Sequence, residues 1–131
     1  MPYKEVFDAM PINQMLGNTL MEQGPGYGRI QLSITDTTPT GIGGSVNGGI
    51  LATMADMVML VTVFSGLQDN ETPAGTAELN ISYLRQAHGK KIIATGHEVK
   101  RGRQLAVIDV DITDEKERLC AKARATYAFR A

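Results

Sequence analysis

The feature that most restricts the fold of this 131-residue chain is an apolar run over residues 48–67 that contains a single charged residue, Asp56. A membrane span needs roughly 20 mostly apolar residues, and an aspartate near its centre is costly. Only about 11 residues of the run follow the acid. We therefore interpret the run as a buried helix of a soluble protein, beginning at Asn47, a residue type that caps helix N-termini well.

Apolar residues in this predicted helix are not confined to one stripe. Between residues 50 and 64 they occupy almost every side, and a helix of that kind is enclosed by the rest of its protein. Aspartate is rarely buried unless it is paired or used, because removing a carboxylate from water is costly. Two interpretations of Asp56 stay open: an acid on a small exposed face or bound to a tertiary partner, and a nucleophile or general base in a cleft.

Segments in which apolar and polar residues alternate precede and follow the predicted helix in the sequence. Residues 27–35 alternate between apolar and polar side chains, which is typical of a half-buried antiparallel strand. Turn-forming residues separate four later predicted strands, over 76–84, 91–100, 105–113 and 119–129. We expect these consecutive strands to pair as a meander. With one or two short helices over 3–15, the pattern predicts an α+β fold, a curved antiparallel sheet wrapped around a long central helix.

Length and composition limit the class of protein. The chain fits one domain, residues 1–131, and a net charge of -1 gives no basis for binding nucleic acid. A single cysteine, Cys120, excludes an internal disulfide, and Cys/His spacing typical of a metal site is absent. The first residues lack the basic and apolar segments of a signal peptide. We expect a cytoplasmic protein that binds neither metal nor membrane.

The start of the predicted helix offers a second chemical group. Its unpaired N–H groups carry a partial positive charge, and Gly48 and Gly49 let a ligand approach the backbone. Such a site can hold the oxyanion of an acyl transfer, although Asn-Gly-Gly can also simply cap a helix. Gly48 and Asp56 lie roughly 12 Å apart along the axis, because each residue of a helix rises about 1.5 Å. One acyl carbon cannot contact both, so a site that uses both requires two antiparallel copies of the helix, in a dimer.

The stretch over residues 44–56, Gly-Ser-Val-Asn-Gly-Gly-Ile-Leu-Ala-Thr-Met-Ala-Asp, resembles the motif of hotdog-fold acyl-CoA thioesterases of the phenylacetate-degradation type, within the 4-hydroxybenzoyl-CoA thioesterase superfamily. Residues 76–87, 101–106 and 121–127 resemble further blocks of that family, in the same order. The resemblance implies the hotdog fold and hydrolysis of an acyl-CoA to free acid and CoA. CoA enters as part of the substrate, and no cofactor is needed. The resemblance also implies a homodimer with a shared active site, usually paired again into a homotetramer.

The same resemblance implies roles for single residues. Asp56 is the nucleophile or general base, and the N–H of Gly48, with Gly49 as a second donor, binds the thioester carbonyl. Thr76 falls where related enzymes place a hydroxyl that positions the attacking water. Asn47 stands where the family usually has histidine, and its amide can donate a hydrogen bond but cannot exchange a proton near pH 7. A non-catalytic acyl-CoA-binding module is therefore the alternative function.

Basic residues near predicted turns are candidates for the phosphate groups of CoA. Arg101 and Arg103 flank a glycine in a tight connection, and arginine forks suit phosphate oxygens. The alternative is an ordinary charged hairpin. Lys90 has a similar but weaker claim. Aromatic and aliphatic acyl groups suit the predicted pocket, residues 57–64 and 68–74, equally well.

Overall fold

The computed structural model describes residues 3–130. Its elements, in chain order, are α1 (Tyr3–Asp8), α2 (Pro11–Leu16), β1 (Asn18–Gly24), β2 (Tyr27–Ser33), a 3-10 turn (Ile42–Gly44), α3 (Gly48–Phe64), β3 (Thr72–Tyr83), β4 (Lys91–Arg101), β5 (Leu105–Asp114) and β6 (Leu119–Arg130). Every element predicted from periodicity is present, with its ends moved by a few residues. The largest extension is at β3, which begins four residues before the predicted strand.

Strand β1 is missing from the sequence-based prediction. Only its first half alternates, since Asn18 and Leu20 are buried whereas residues 21–23 are all exposed. The strand pairs antiparallel with β2 on one side alone and forms an edge of the sheet. An edge strand with so few buried side chains shows little apolar periodicity. The strand is recognised only by its pairing with β2, which the sequence does not reveal.

The six strands of residues 3–130 form one antiparallel sheet in the order β1-β2-β4-β5-β6-β3. Helix α3 packs across its inner face, against β2, β4, β5 and β6. The predicted α+β architecture, a curved antiparallel sheet around a long central helix, is therefore confirmed.

The predicted meander is correct for β4, β5 and β6 and wrong for β3. Strand β3 pairs with β6, at the far edge of the sheet, whereas β4 pairs with β2. Residues 84–90 are therefore a crossover between distant strands rather than a hairpin turn. Both pairings join segments that are far apart in the sequence, and alternation within a single strand carries no information about its partner. Within the described chain, the outer edge of β3 has no partner strand.

Helix α3 is buried along most of its surface, but the expectation that its own chain encloses it on all sides is wrong. A half-exposed stripe follows the helical period through Ala52, Thr53, Asp56, Leu60 and Phe64. The acid therefore lies on the one face of α3 that the sheet leaves open. None of the helices between residues 3 and 130 has both the length and the apolar character needed to cross a membrane.

Two glycines let α3 lie close to the sheet. Gly28 on β2 and Gly96 on β4 face each other in register. A Cβ atom at Gly28 would lie 2.7 Å from Cγ1 of Val61, and one at Gly96 would collide with the hydroxyl of Thr62. The lack of side chains at this pair sets how deeply the C-terminal half of α3 can sit in the sheet.

Replacing Gly96 with alanine is expected to lower the free energy of unfolding by about 1–3 kcal/mol, because the added methyl group overpacks the contact between β4 and α3. Urea unfolding measures the change. Gly24→Ala is the matched control, since a Cβ atom there meets nothing within 4 Å. Equal losses in the two variants would contradict the packing argument.

Candidate active site

The start of α3 is capped by Asn47. Its side-chain Oδ1 accepts a hydrogen bond of 2.8 Å from the N–H of Gly49. The hydrogen bond occupies the N–H of Gly49, one of the two backbone donors that the resemblance assigned to the thioester carbonyl. The N–H of Gly48 has no hydrogen-bond partner within residues 3–130. Because Oδ1 of Asn47 is engaged, the Nδ2 group of the same amide remains the part that can donate to a ligand.

Tyr83 at the end of β3 packs directly on Gly48. Its hydroxyl donates to the carbonyl oxygen of Gly48 at 2.7 Å, and its ring atoms lie 3.3 Å from where a Cβ atom of that residue would be. A side chain at position 48 would press on the ring, which is a structural reason for glycine there. The contact also joins the helix start to the free edge strand.

The carboxylate of Asp56 accepts a hydrogen bond from the hydroxyl of Thr76 on β3, at 2.6 Å. The structure thus brings together two residues that are 20 positions apart and to which the family resemblance gave separate roles in one site. Asp56 forms no ion pair within residues 3–130. A half-exposed carboxylate that is held by one hydroxyl keeps its other oxygen available to a ligand or to water.

Tyr127 on β6 is a neighbour of this pair that no pattern in the sequence indicated. It lies opposite Thr76 in the β3–β6 register, so both side chains face α3. Burial, and to a smaller extent the charge of Asp56, raise the pKa of Tyr127. The tyrosine is only 5% exposed. Its position beside Thr76 follows from the pairing of β3 with β6, which local sequence does not reveal.

Within one chain the two ends of the predicted site stay apart. Gly48 begins α3 and Asp56 lies eight residues later, about 12 Å along the axis. Each end is instead linked to β3, Asp56 through Thr76 and Gly48 through Tyr83. The two links place both groups next to the unpaired edge of the sheet.

Arg101 is held in an internal network. Its guanidinium pairs with Glu71 at 2.8 Å and Glu98 at 2.9 Å, donates to the carbonyl of Val63 at 2.6 Å, and lies over the ring of Phe129. Its side chain is 16% exposed. These contacts use one hydrogen on each guanidinium nitrogen and tie the end of α3 to the sheet. The role of Arg101 as a phosphate ligand stays a prediction.

A cleft of about 1140 Å³ opens beside this network. Its lining includes four cations and one carboxylate: Lys100, Arg101, Arg103, Arg130 and Glu71. Both predicted phosphate ligands, Arg101 and Arg103, therefore line one basic cleft with Lys100, their neighbour in the sequence, and Arg130, which the sequence did not indicate.

Lys90 is not part of this cleft. It precedes the first residue of β4, whereas Arg103 follows the last, so the length of β4 separates them. The backbone N–H of Lys90 donates to Glu115.

Cys120 packs in the core as a small apolar residue. It is fully buried, and burial raises the pKa of its thiol. Because the thiolate is the reactive form, this environment disfavours a nucleophilic role.

Comparison with known proteins identifies the family. Residues 43–121 match the model of the Thioesterase superfamily. Human acyl-coenzyme A thioesterase 13 is 28% identical, over 94% of this chain and 91% of its own length. The medium/long-chain acyl-CoA thioesterase YigI of Escherichia coli is also 28% identical, over 90% of this chain and 84% of its own length.

Solved structures agree with the fold. A thioesterase from Haemophilus influenzae superposes with a TM-score of 0.86 at 20% identity, covering 98% of this chain and 87% of that chain. The PaaI protein of Escherichia coli, from the phenylacetic acid degradation operon, gives a TM-score of 0.83 at 20% identity, covering 97% and 89%. The hotdog fold implied by the sequence resemblance is thereby confirmed. With more than half of its length matched by the family model, this chain belongs to the thioesterase superfamily.

Proposed function

We propose that the chain hydrolyses acyl-CoA thioesters, with Asp56 as its working carboxylate. The observation that carries this proposal is the 2.6 Å hydrogen bond from Thr76 to Asp56, on the one open face of α3. The relatives named as acyl-CoA thioesterases support CoA esters as the substrate class.

The chemistry needs one donor for the carbonyl oxygen and one carboxylate near the acyl carbon. The N–H of Gly48 polarises the thioester carbonyl and holds the oxyanion as it forms. As a general base, Asp56 takes a proton from water, whose oxygen bonds to the acyl carbon; the C–S bond then breaks and the CoA thiolate leaves. As a nucleophile, Asp56 itself bonds to the acyl carbon, the C–S bond breaks and the CoA thiolate leaves; water then hydrolyses the resulting anhydride to the free acid and the Asp56 carboxylate. Thr76 orients the carboxylate in both routes, and neither route requires a metal or cofactor.

The two groups can meet on one acyl carbon only if a second subunit supplies one of them. The unpaired edge of β3, twelve residues long, can extend the sheet into a second copy. The half-exposed stripe of α3 lies beside that edge and would be covered at the same time. Pairing the two β3 strands about a two-fold axis makes the helices antiparallel, which brings Gly48 of one subunit towards Asp56 of the partner subunit. We propose this homodimer as the active unit; its pairing into a tetramer stays a prediction that light scattering tests.

The basic cleft at the end of α3 is our candidate for the phosphate groups of CoA. Four cations line it, Lys100, Arg101, Arg103 and Arg130, against one carboxylate, Glu71, which pairs with Arg101. Replacing Arg103 with alanine should raise KM for an acyl-CoA about tenfold with little change in kcat, because the lost contact binds substrate and transition state alike. The effect should shrink for the acyl-pantetheine analogue, which has no phosphates, and as salt increases. Lys116→Ala, at an exposed cation in the turn between β5 and β6, is the control. Equal effects on CoA and pantetheine esters would contradict the phosphate role.

A thiol-release screen tests the reaction and its substrate class. Phenylacetyl-, benzoyl- and graded fatty acyl-CoAs are offered to the wild-type protein, and release of free CoA is followed. We expect turnover with at least one acyl group. The alternative, a non-catalytic acyl-CoA-binding module, is consistent with the capping role of Asn47 at the position where histidine is usual. It predicts saturable binding of the same esters without thiol release.

A further inference from the structure

The first two peptide groups of α3 are held by hydrogen bonds at every polar atom except one. The carbonyl of Asn47 accepts from the N–H of Ile50. The peptide between Gly48 and Gly49 is held at both ends, because its N–H donates to Oδ1 of Asn47 and its carbonyl accepts from the hydroxyl of Tyr83. The group that stays without a partner in the described chain is the N–H of Gly48, which we assign to the thioester carbonyl.

Of these contacts, the one with Tyr83 comes from outside the helix start, from a residue on β3 that is 35 positions away. Glycine leaves its own backbone freer than other residues do, so a helix start made of Gly48 and Gly49 does not by itself fix the direction of their peptide groups. The Tyr83 hydroxyl lies 2.7 Å from the carbonyl oxygen of Gly48, and its ring lies 3.3 Å from where a Cβ atom of that glycine would be. Together, the two contacts limit the torsion angles of Gly48.

The exposure of Tyr83 indicates a role in the site rather than in the core. The residue is 52% exposed, and a hydrogen bond that water can replace contributes little to folding. Tyr83 also lies on β3, whose free edge the proposed dimer pairs. In that dimer Gly48 meets Asp56 of the partner subunit, so the contact is covered and its hydrogen bond strengthened by the lower local dielectric constant.

We propose that Tyr83 is a positioning residue for the oxyanion: by holding Gly48, it keeps the N–H of that glycine directed at the carbonyl oxygen of the bound thioester. Tyr83 acts through Gly48 and does not itself contact the reacting atoms. A donor that is fixed before the reaction stabilises the charge developing on the oxygen more than it stabilises the neutral carbonyl. The inference rests on the proposed function, which supplies that carbonyl.

Tyr83→Phe keeps the ring and removes the hydroxyl. It should lower kcat for acyl-CoAs about tenfold while KM changes less than about twofold, because the lost orientation matters mainly in the transition state. The melting temperature should fall by no more than about 3 °C, since a single exposed hydrogen bond is lost. Light scattering should show the oligomeric state of the wild type.

Two unreactive CoA derivatives test the carbonyl contact without hydrolysis. In the ketone analogue a CH2 group replaces the thioester sulfur and the carbonyl remains, whereas in the S-alkyl thioether a CH2 group replaces the carbonyl. By calorimetric titration the wild type should bind the ketone about tenfold more tightly than the thioether of equal chain length, because only the ketone accepts from the N–H of Gly48. In Tyr83→Phe this ratio should fall to about threefold or less, with Kd for the thioether unchanged.

Ser65→Ala is the control for a merely structural effect. Ser65 donates to the carbonyl of Thr62 at the opposite end of α3, so its loss should lower the melting temperature similarly and leave the ketone-to-thioether ratio at the wild-type value. A ratio that Tyr83→Phe leaves unchanged, or that Ser65→Ala lowers equally, overturns the inference, as does a wild type that binds both derivatives alike. If no ester is hydrolysed but the ratio depends on Tyr83, the proposed function fails while the inference stands for a module that only binds.

Discussion

Replacing Asp56 with alanine is expected to reduce kcat towards acyl-CoAs at least about 10³-fold, because the variant lacks the only proposed group that can attack the thioester or activate water. The protein should remain folded. Asp56 is half-exposed and forms no ion pair within residues 3–130, so its loss should change the free energy of unfolding by no more than about 0.5 kcal/mol. Steady-state thiol release and urea unfolding measure the two effects.

Variants of Thr76 serve as matched controls. Valine at this position keeps the size and branching but removes the hydroxyl that donates to Asp56. Thr76→Val should lower kcat about tenfold, since a charge-assisted hydrogen bond that orients the carboxylate is lost. Thr76→Ser retains the hydroxyl and should stay close to the wild type. Near-normal kcat in Asp56→Ala would refute the catalytic role, and the chain would then need a different explanation for the acid on α3.

The sequence predicted most of the elements because periodicity is a local property. A continuous apolar run defined α3, and alternation defined five of the six strands between residues 3 and 130. Periodicity could not predict the position of β3 in the sheet. Its partner, β6, lies more than 35 residues further along the chain, and the alternation of either strand is satisfied equally by a meander. Tertiary pairing decided the order of the strands.

In the candidate site, too, some features could be predicted from the sequence and others depend on tertiary contacts. The resemblance assigned Thr76 and Asp56 to the same site, because both lie in blocks that it matched, whereas their hydrogen bond is a finding of the structure. The network around Arg101 could not be predicted, because its carboxylate partners come from the α3–β3 loop and from β4. An arginine beside a glycine turn suits a phosphate or a carboxylate equally well until its neighbours are known. The contact of Tyr83 with Gly48 likewise depends on how β3 packs beside the helix.

Breaking the dimer is expected to abolish turnover without unfolding the chain. If Gly48 of one helix lies beside Asp56 of the partner subunit, the two-fold axis passes close to the residue midway between them, Ala52. This residue is on the half-exposed stripe, and its small side chain lets two helices approach closely. Ala52→Arg would place bulk and two like charges at the axis, so we expect monomers with background activity. Ala9→Arg, at an exposed position at the end of α1, should leave both properties unchanged. A monomer with full activity would exclude a shared site.

Complementation between two inactive variants tests the sharing itself. Gly48→Pro removes the N–H that we assign to the oxyanion and adds a ring beside Tyr83. Proline is favoured at the first position of a helix, and Asn47, with φ -55° and ψ 136°, already has the extended conformation that a following proline requires. We expect a loss of about 10²–10³-fold in kcat, whereas Gly48→Ala keeps the N–H and reports the contact with Tyr83.

A heterodimer of Gly48→Pro and Asp56→Ala subunits holds one site with both lesions and one site with neither. Isolated with two different tags, it should recover about half of the wild-type kcat per dimer, as expected for two independent sites related by a two-fold axis. A site contained within one subunit predicts a different result, because every site of the heterodimer would then carry one lesion and none would be restored. Background activity in a heterodimer of verified composition would therefore place both groups in the same subunit, against the 12 Å separation that α3 imposes at about 1.5 Å per residue.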